Sequence, residues 1–248
     1  MTFCVGLKTH EGLVALADTQ IVRGSERLTK SKVAILKQGD ESFFVMTSGL
    51  RSIRDKLMIY AAEEIQRDPD PDAFSRLYQV ANLYGRQLQR IREEDGESLA
   101  ASKLAFNLHA IVGGRLRDDE EPTLFFLYPE GNWIEASDDS PYFIIGRTVY
   151  GKPILDQLMQ PDTPLPRACA LAMLAFDATR TSVTDVDFPI DMITVSRATQ
   201  QTRERRYDAS EMADALAWWR QRLRDSLLEL PIDWSGPLLE PAPPTPPA

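Results

Sequence analysis

Thr2 could act as nucleophile and general base at once, provided that Met1 is removed. A threonine at a free N-terminus carries a hydroxyl nucleophile, and its own α-amine can accept the hydroxyl proton. The unperturbed α-amine has a pKa of about 8, so a useful fraction is neutral at cellular pH. Threonine is small enough for ordinary removal of the initiator methionine, and here it opens a predicted strand. We therefore interpret Thr2 as the candidate nucleophile of a hydrolase.

Three further positions could support that nucleophile. Asp18 ends the apolar run that begins at Leu13, Lys32 precedes the next apolar run, and Gly49 follows a third. An aspartate that holds a lysine near a hydroxyl keeps the ammonium charged and oriented, and the lysine then favours the alkoxide. The backbone N–H of a glycine can stabilise an oxyanion. Lys30 has the same strand parity as Lys32 and is the alternative lysine.

Each of these residues also has an ordinary interpretation when taken alone. Asp18 could be a turn or cap residue, Lys32 a solvated lysine at a strand edge, and Gly49 part of a plain strand-to-helix connection. Cys4 is interpreted as a small buried strand residue, and His109 as a core or interface residue. The hypothesis of an active site rests on Asp18, Lys32 and Gly49 occurring in this order after Thr2.

The hydrophobic periodicity predicts strands, two helices, strands, two helices, strands and a last helix. Two sheets between two layers of helices satisfy this order, because each helix needs a sheet face to cover. The predicted strands are 2–8, 13–18, 31–37, 41–47, 103–113, 122–129, 132–136, 142–145, 189–197 and 203–208. The predicted helices are 50–67, 73–93, 150–160, 165–180 and 210–229.

The chain is predicted to form one domain over residues 1–230, followed by a disordered tail over 231–248. The tail is rich in proline and cannot bury enough apolar surface to fold. The length of 248 residues fits one large hydrophobic core.

Composition excludes several classes of function. With 43% hydrophobic and 26% charged residues the chain is typical of soluble globular proteins, and no apolar run approaches the ~18 residues of a membrane span. The first residues lack the pattern of a signal peptide, so we expect a cytoplasmic protein. A net charge of −9 argues against nucleic acid as the main partner. Two cysteines and two histidines cannot build a standard zinc site, and no metal is expected.

Four short motifs, taken in order, resemble the N-terminal half of proteasome β-type subunits. They are Met1-Thr2, Leu16-Ala17-Asp18-Thr19, Lys32-Val33 and Thr47-Ser48-Gly49. Two later segments, Gly146 to Asp156 and Phe188 to Asp191, more specifically resemble the bacterial proteasome-related group called Anbu, or its sister group of betaproteobacterial proteasome homologues. The resemblance covers about residues 2–230.

The resemblance implies an α+β fold, the four-layer αββα sandwich of N-terminal-nucleophile hydrolases, in a homo-oligomeric ring or spiral. Thr2 would be nucleophile and base, Asp18 and Lys32 its electrostatic partners, and Gly49 the donor to the oxyanion. The implied activity is that of a threonine peptidase on peptide or protein substrates, with no metal or organic cofactor. An ATP-dependent unfoldase that delivers substrate is a further partner that the resemblance allows.

The sequence departs from the family pattern at the accessory positions. Proteasome β subunits carry a serine in the turn that supports the amine, where this chain has Gly146-Arg147-Thr148. They also carry an aspartate and a serine in the loop after the second helix pair. In this chain Thr181 would replace that aspartate and Thr184 that serine, and Asp185 could serve if the loop is shifted by one residue.

These departures leave three hypotheses for the function. The first is a self-compartmentalised threonine peptidase. In the second the fold is the same, but the enzyme is an amidase whose substrate is a small or modified amide. The third is a ring-forming scaffold subunit with a catalytically weak site, which retention of Met1 would favour because Thr2 would then have no free amine.

Overall fold

The strand and helix pattern predicted from the sequence recurs in a computed structural model, which describes residues 2–23, 26–38, 41–67 and 74–239. The strands are β1 (Phe3–Thr9), β2 (Gly12–Asp18), β3 (Gln20–Arg23), β4 (Glu26–Thr29), β5 (Val33–Gln38), β6 (Glu41–Ser48), β7 (His109–Arg115), β8 (Thr123–Leu127), β9 (Trp133–Glu135), β10 (Tyr142–Gly146), β11 (Ile190–Ser196) and β12 (Thr202–Tyr207). The helices are α1 (Arg51–Arg67), α2 (Leu77–Ala101), α3 (Lys152–Leu158), α4 (Leu165–Arg180), α5 (Ala209–Glu229) and α6 (Gly236–Leu239), with a 3₁₀ turn at Asp233–Ser235.

The first sheet places the start of the chain between two neighbours. Its order is β10-β1-β2-β11-β12, and the paired strands are antiparallel. Phe3 on β1 lies opposite Gly146 on β10, while Cys4 lies opposite Ala17 on β2. Because Thr2 directly precedes β1, the register fixes it beside the end of β10 and the end of β2.

The second sheet packs against the inner face of the first. Its order is β5-β6-β7-β8-β9, again with antiparallel neighbours. Alternate residues of both sheets bury their side chains in a shared apolar layer, and each large one contributes about 1.5–3 kcal/mol of transfer free energy. The core of this layer includes Cys4, Leu13, Ala15, Phe44, Met46, Ile111, Leu124, Ile193 and Val195.

Helices cover the outer faces of both sheets. Side chains of α1 and α2, such as Leu57 and Tyr84, bury against Val45 and Val112 of the second sheet. On the first sheet α4 lies over β1 and β2, and the ring of Phe3 lies 6.3 Å from that of Phe176. The predicted four-layer αββα sandwich is therefore confirmed.

The described residues form two compact units, one that ends at Ala209 and one that begins at Ser210. The second unit holds α5 from Ser210 onward, the 3₁₀ turn and α6. These last two elements lie where the sequence predicts disorder, and Trp234 Nε1 donates a hydrogen bond of 3.1 Å to Pro231 O there. Residues 240–248 lie outside the described residues, so the division into a domain over 1–230 and a tail over 231–248 stays a prediction.

Three local features differ from the sequence prediction. The hairpin of β3 and β4 was not predicted, because its strands are short and mostly polar. Helix α2 continues to Ala101 instead of ending near 93, and Lys56 of α1 pairs with Glu94 and Asp95 in the added part. The strand predicted from 103 begins only at His109, since Lys103 adopts a positive φ of 56° after the helix. None of the described helices is long and apolar enough to cross a membrane.

Candidate active site

Thr2 lies half-buried on the wall of a cavity of about 600 Å³. Its carbonyl oxygen accepts a hydrogen bond of 2.7 Å from Arg147 N, just beyond β10. The end of β10 and the backbone of Thr2 approach each other so closely that position 146 requires glycine. Its φ is +91°, and a Cβ there would lie 1.9 Å from Thr2 O. The turn after β10 therefore holds the backbone of Thr2 in place.

Asp18 and Lys32 form an ion pair beneath the residue that follows Thr2. Lys32 Nζ lies 2.7 Å from both carboxylate oxygens of Asp18, and both side chains are buried. Phe3 N donates to Asp18 Oδ1 at 2.8 Å, and Gln20 N donates to Asp18 Oδ2 at 3.2 Å. The carboxylate thus ties the backbone next to Thr2 to an ammonium that itself lines the cavity.

Burial is the main influence on Asp18. It raises the pKa of the carboxyl above its usual range, and the Lys32 ammonium and the N–H groups of Phe3 and Gln20 oppose that shift. Because the partners supply both charge and hydrogen bonds, removing one of them leaves a buried group uncompensated. We therefore expect the loss of either partner to destabilise the protein.

Of the two candidate lysines, it is Lys32 that contacts Asp18. Lys30 is exposed, and its backbone N–H donates to Thr19 O at 2.8 Å. This bond follows the hairpin of β3 and β4, which brings the chain back beside the end of β2 before β5 begins. The alternative that the sequence left open is thereby decided in favour of Lys32 as the partner of Asp18.

Gly49 lies on the cavity wall between the end of β6 and the start of α1. Its φ is +142°, and a Cβ at this position would lie 2.5 Å from Asn107 O. The first turn of α1 follows at once, and the N-terminus of a helix favours negative charge. The surroundings of Gly49 are thus suited to an oxyanion.

The accessory residues predicted from the sequence are only partly brought to the cavity. Thr148 lines it, whereas Thr181 and Thr184 are exposed and do not. Thr181 Oγ1 donates instead to Asp177 O at 2.9 Å and to Ala178 O at 3.0 Å, at the end of α4. Asp185 accepts a hydrogen bond of 3.1 Å from Arg147 Nη2. It therefore connects to Thr2 through Arg147, and the roles of these residues stay predictions.

Other titratable residues near the site have clear surroundings. Burial strongly raises the pKa of the Cys4 thiol, so Cys4 stays protonated at neutral pH, consistent with a packing residue. His109, interpreted from the sequence as a core or interface residue, lines the cavity, with its ring 5.7 Å from that of Phe126. Within the described ranges no three His, Cys, Asp or Glu side chains cluster in a way that could hold a metal ion.

Sequence reasoning missed Arg51 and Arg54, which also line the cavity. A signal for them exists in the periodicity of α1. Ile53 and Leu57 define its buried stripe, and Arg54 directly adjoins that stripe one turn after Gly49 and Leu50. On that ground Arg54, a cation next to the buried stripe of α1, was a candidate residue of the cavity wall.

Comparisons with known proteins place this geometry in context. The family model described as proteasome subunit matches residues 2–195. A mutant (Gly-1) of Anbu from Hyphomicrobium sp. strain MC1 is 30% identical, with a TM-score of 0.84 over 94% of this chain and 99% of that one. Anbu from Pseudomonas aeruginosa, solved as a helical assembly, is 26% identical, with a TM-score of 0.84 over 93% and 97%. Anbu from Yersinia bercovieri is 27% identical, with a TM-score of 0.80 over 92% and 97%. A search of curated proteins gave no match.

Proposed function

Because the chain belongs to the proteasome subunit family, we propose that it is a threonine peptidase whose nucleophile is Thr2, exposed by removal of Met1. The observation that carries the proposal is the buried Asp18–Lys32 pair. Asp18 accepts a hydrogen bond of 2.8 Å from Phe3 N, next to Thr2, and Lys32 lines the same cavity as Thr2. A buried ion pair is costly to desolvate, so its placement beside a candidate nucleophile favours a chemical role.

The proposed reaction needs no group beyond this chain and water. The Thr2 hydroxyl oxygen bonds to the carbonyl carbon of the peptide while its proton passes to the α-amine. The C–N bond then breaks, the leaving amine takes that proton, and an ester to Thr2 remains. Water, deprotonated by the same amine, cleaves the ester and restores the Thr2 hydroxyl.

Lys32 and Gly49 would stabilise the charges that develop during these steps. The Lys32 ammonium, oriented by Asp18 at 2.7 Å, lowers the free energy of the Thr2 alkoxide. The Gly49 N–H and the first turn of α1 would bind the oxyanion of the tetrahedral intermediate. Donors that are fixed before the reaction need little reorganisation, which suits a site built at the ends of strands.

We further propose that the protein acts in a homo-oligomer. In the second unit, large apolar side chains lie in water, among them Trp218 at 62% exposure, Leu228 at 85% and Trp234 at 69%. Exposed apolar side chains in such number are typical of an interface. The helical assembly of the P. aeruginosa protein supports self-association here.

A pair of variants tests the peptidase. Purified protein is assayed with fluorogenic peptide amides beside Thr2→Ala and Thr2→Ser, and the oligomeric state of each is measured by light scattering. We expect Thr2→Ala to keep the assembly and lose all turnover, because the hydroxyl is gone, while Thr2→Ser keeps part of the activity. Unchanged hydrolysis in Thr2→Ala would overturn the proposal.

One observation favours a different substrate in the same site. Thr181 and Thr184, predicted to stand for two accessory residues, are exposed and do not line the cavity. A site without them would serve a smaller amide. Turnover of short non-peptide amides, lost in Thr2→Ala and absent with peptides, would identify this second candidate.

A further inference from the structure

The cavity beside Thr2 is lined by cationic groups and by no carboxylate among the described residues. Its charged lining side chains are Lys32, Arg51 and Arg54, and the imidazole of His109 also lines it. Apolar residues such as Ile21 and Phe126 complete the wall. A substrate that enters this cavity therefore meets positive charge.

A second pocket of about 220 Å³ adjoins the cavity and shares Lys32, Thr47 and Arg54 with it. Val33, Val45 and Met58 give this pocket an apolar floor, while Lys30 and Asp55 add one charge of each sign. Arg54, like Lys32, thus lies between the cavity of Thr2 and a side pocket large enough for one amino-acid side chain.

The local charges leave an excess of positive charge around Arg54. Asp18 neutralises Lys32, whereas Asp55 serves two guanidinium groups. Arg54 Nε and Nη2 donate to Asp55 Oδ1 at 3.1 and 2.7 Å, and Arg51 Nε donates to Asp55 Oδ2 at 3.2 Å. One carboxylate thus faces two arginines.

Arg54 is also better placed than Arg51 to bind a carboxylate. Its side chain is 18% exposed, against 66% for Arg51, so its charge is less screened by water. Asp55 fixes the plane of its guanidinium, and a fixed guanidinium binds a carboxylate with two parallel hydrogen bonds. Less side-chain entropy is lost when the partner arrives.

We propose that the side pocket selects substrates with an acidic residue next to the scissile bond, whose carboxylate binds Arg54. This inference rests on the proposed peptidase function and names its substrate class. Glutamate fits best, because its methylene groups cover the apolar floor while its carboxylate reaches the guanidinium. Lysine and arginine side chains are rejected by the excess of positive charge.

The test compares two fluorogenic peptide amides that differ only in Glu or Gln at the residue whose carbonyl is attacked. We expect kcat/KM for the Glu peptide to exceed that for the Gln peptide about 10-fold, the size of one charge-assisted hydrogen bond at a partly exposed site. The Glu preference should shrink as NaCl is raised, because salt screens the pair. A peptide with Lys at this position should be the poorest of the series.

Variants on α1 identify the residue responsible. Arg54→Gln should abolish the Glu preference, and Arg54→Lys should keep part of it and shows that folding is intact. Arg67→Gln is the matched control, because Arg67 lies on the same helix and pairs with Glu63 at 3.0 Å but does not line either pocket. The control should keep the full preference.

The outcomes separate this inference from the function on which it rests. If no peptide is cleaved, the proposed peptidase fails and the inference fails with it. If peptides are cleaved in a Thr2-dependent way but Gln or Lys is preferred over Glu, the inference alone is overturned. An unchanged Glu preference in Arg54→Gln would equally overturn the assignment to Arg54.

Discussion

Two regions adjoin Thr2 and are built in different ways. On one side the Asp18–Lys32 pair is buried, with both carboxylate oxygens bonded at 2.7–3.2 Å. On the other side the loop after α4 is partly exposed, and Asp185 accepts a hydrogen bond of 3.1 Å from the Arg147 guanidinium there. In the first region two strands, β1 and β3, supply backbone donors to Asp18, and Lys32 directly precedes a third strand. In the second region the Arg147–Asp185 ion pair is partly exposed.

The difference indicates how strongly each region can influence the chemistry. Charges in a buried setting interact more strongly than charges in water, and their geometry varies little. A pair with side-chain exposures of 37% and 18%, as for Arg147 and Asp185, is screened and gains little free energy. We therefore expect variants of the two regions to differ by orders of magnitude in activity and by several kcal/mol in stability.

The largest effect is expected from breaking the buried pair. Lys32→Met should lower kcat/KM by about 10³-fold, because the alkoxide loses its cation. Asp18→Asn should also lower the free energy of unfolding by about 3 kcal/mol, since it leaves the Lys32 ammonium buried without its anion. Peptide hydrolysis and urea unfolding measure the two quantities.

Lys37→Met is the matched control for the buried pair. Lys37 is an exposed lysine on β5, the strand that begins directly after Lys32. Its replacement should change neither kcat/KM nor the free energy of unfolding appreciably. Activity within a factor of three of the parent protein in Lys32→Met would contradict the role assigned to the pair.

A smaller effect is expected from displacing the backbone of Thr2. In Gly146→Ala the new Cβ would lie 1.9 Å from Thr2 O at a φ of +91°, so the chain must move. We expect a loss of about 1–3 kcal/mol in stability, the usual cost of such a conformation. A shift of the nucleophile by about 1 Å should cost about 10²-fold in kcat.

Gly96→Ala is a control that should raise the stability of the protein instead of lowering it. Gly96 lies within α2, and a Cβ there would meet only Arg92 Cγ at an ordinary 3.6 Å. This variant should gain about 0.5–1 kcal/mol in stability, because alanine is the better helix former, and should keep full activity. If both variants behaved alike, the close approach at Gly146 would not matter to the site.

The smallest effect is expected in the loop after α4. Asp185→Asn weakens the bond to Arg147, and we expect kcat to fall by about 5-fold while the unfolding free energy changes by less than ~1 kcal/mol. Thr184→Val, in the same loop but exposed, should leave kcat unchanged. A loss in Thr184→Val as large as that in Lys32→Met would show that the loop, rather than the buried pair, dominates the chemistry.

The sequence predicts the buried region well for a physical reason. Strands covered on both faces read as apolar runs, and a carboxylate at the end of such a run, as at Asp18, is conspicuous. The paired sheets and the helices over them follow from the order of these runs. The four-layer fold was predictable from such runs together with the motif resemblance, and the positions of Thr2 and Gly49 on one cavity wall agree with it.

The loop after α4 and the charged cavity wall were harder to predict. The contact of Arg147 with Asp185 joins residues 38 positions apart across a loop, and no local pattern fixes the register of that loop. The choice between Lys30 and Lys32 depends on the hairpin of β3 and β4, whose strands are too short and polar to give a clear signal. Arg54 resembles a solvated helix residue until the fold places it against the cavity.

The most direct test of the account is treatment of the purified protein with a peptide epoxyketone, followed by measurement of the intact mass. This probe reacts with both the free α-amine and the hydroxyl of an N-terminal threonine. We predict a mass without Met1 that gains one probe adduct, and no adduct in Thr2→Ala. Retention of Met1, or an adduct that persists in Thr2→Ala, would contradict the claim that Thr2 is the nucleophile.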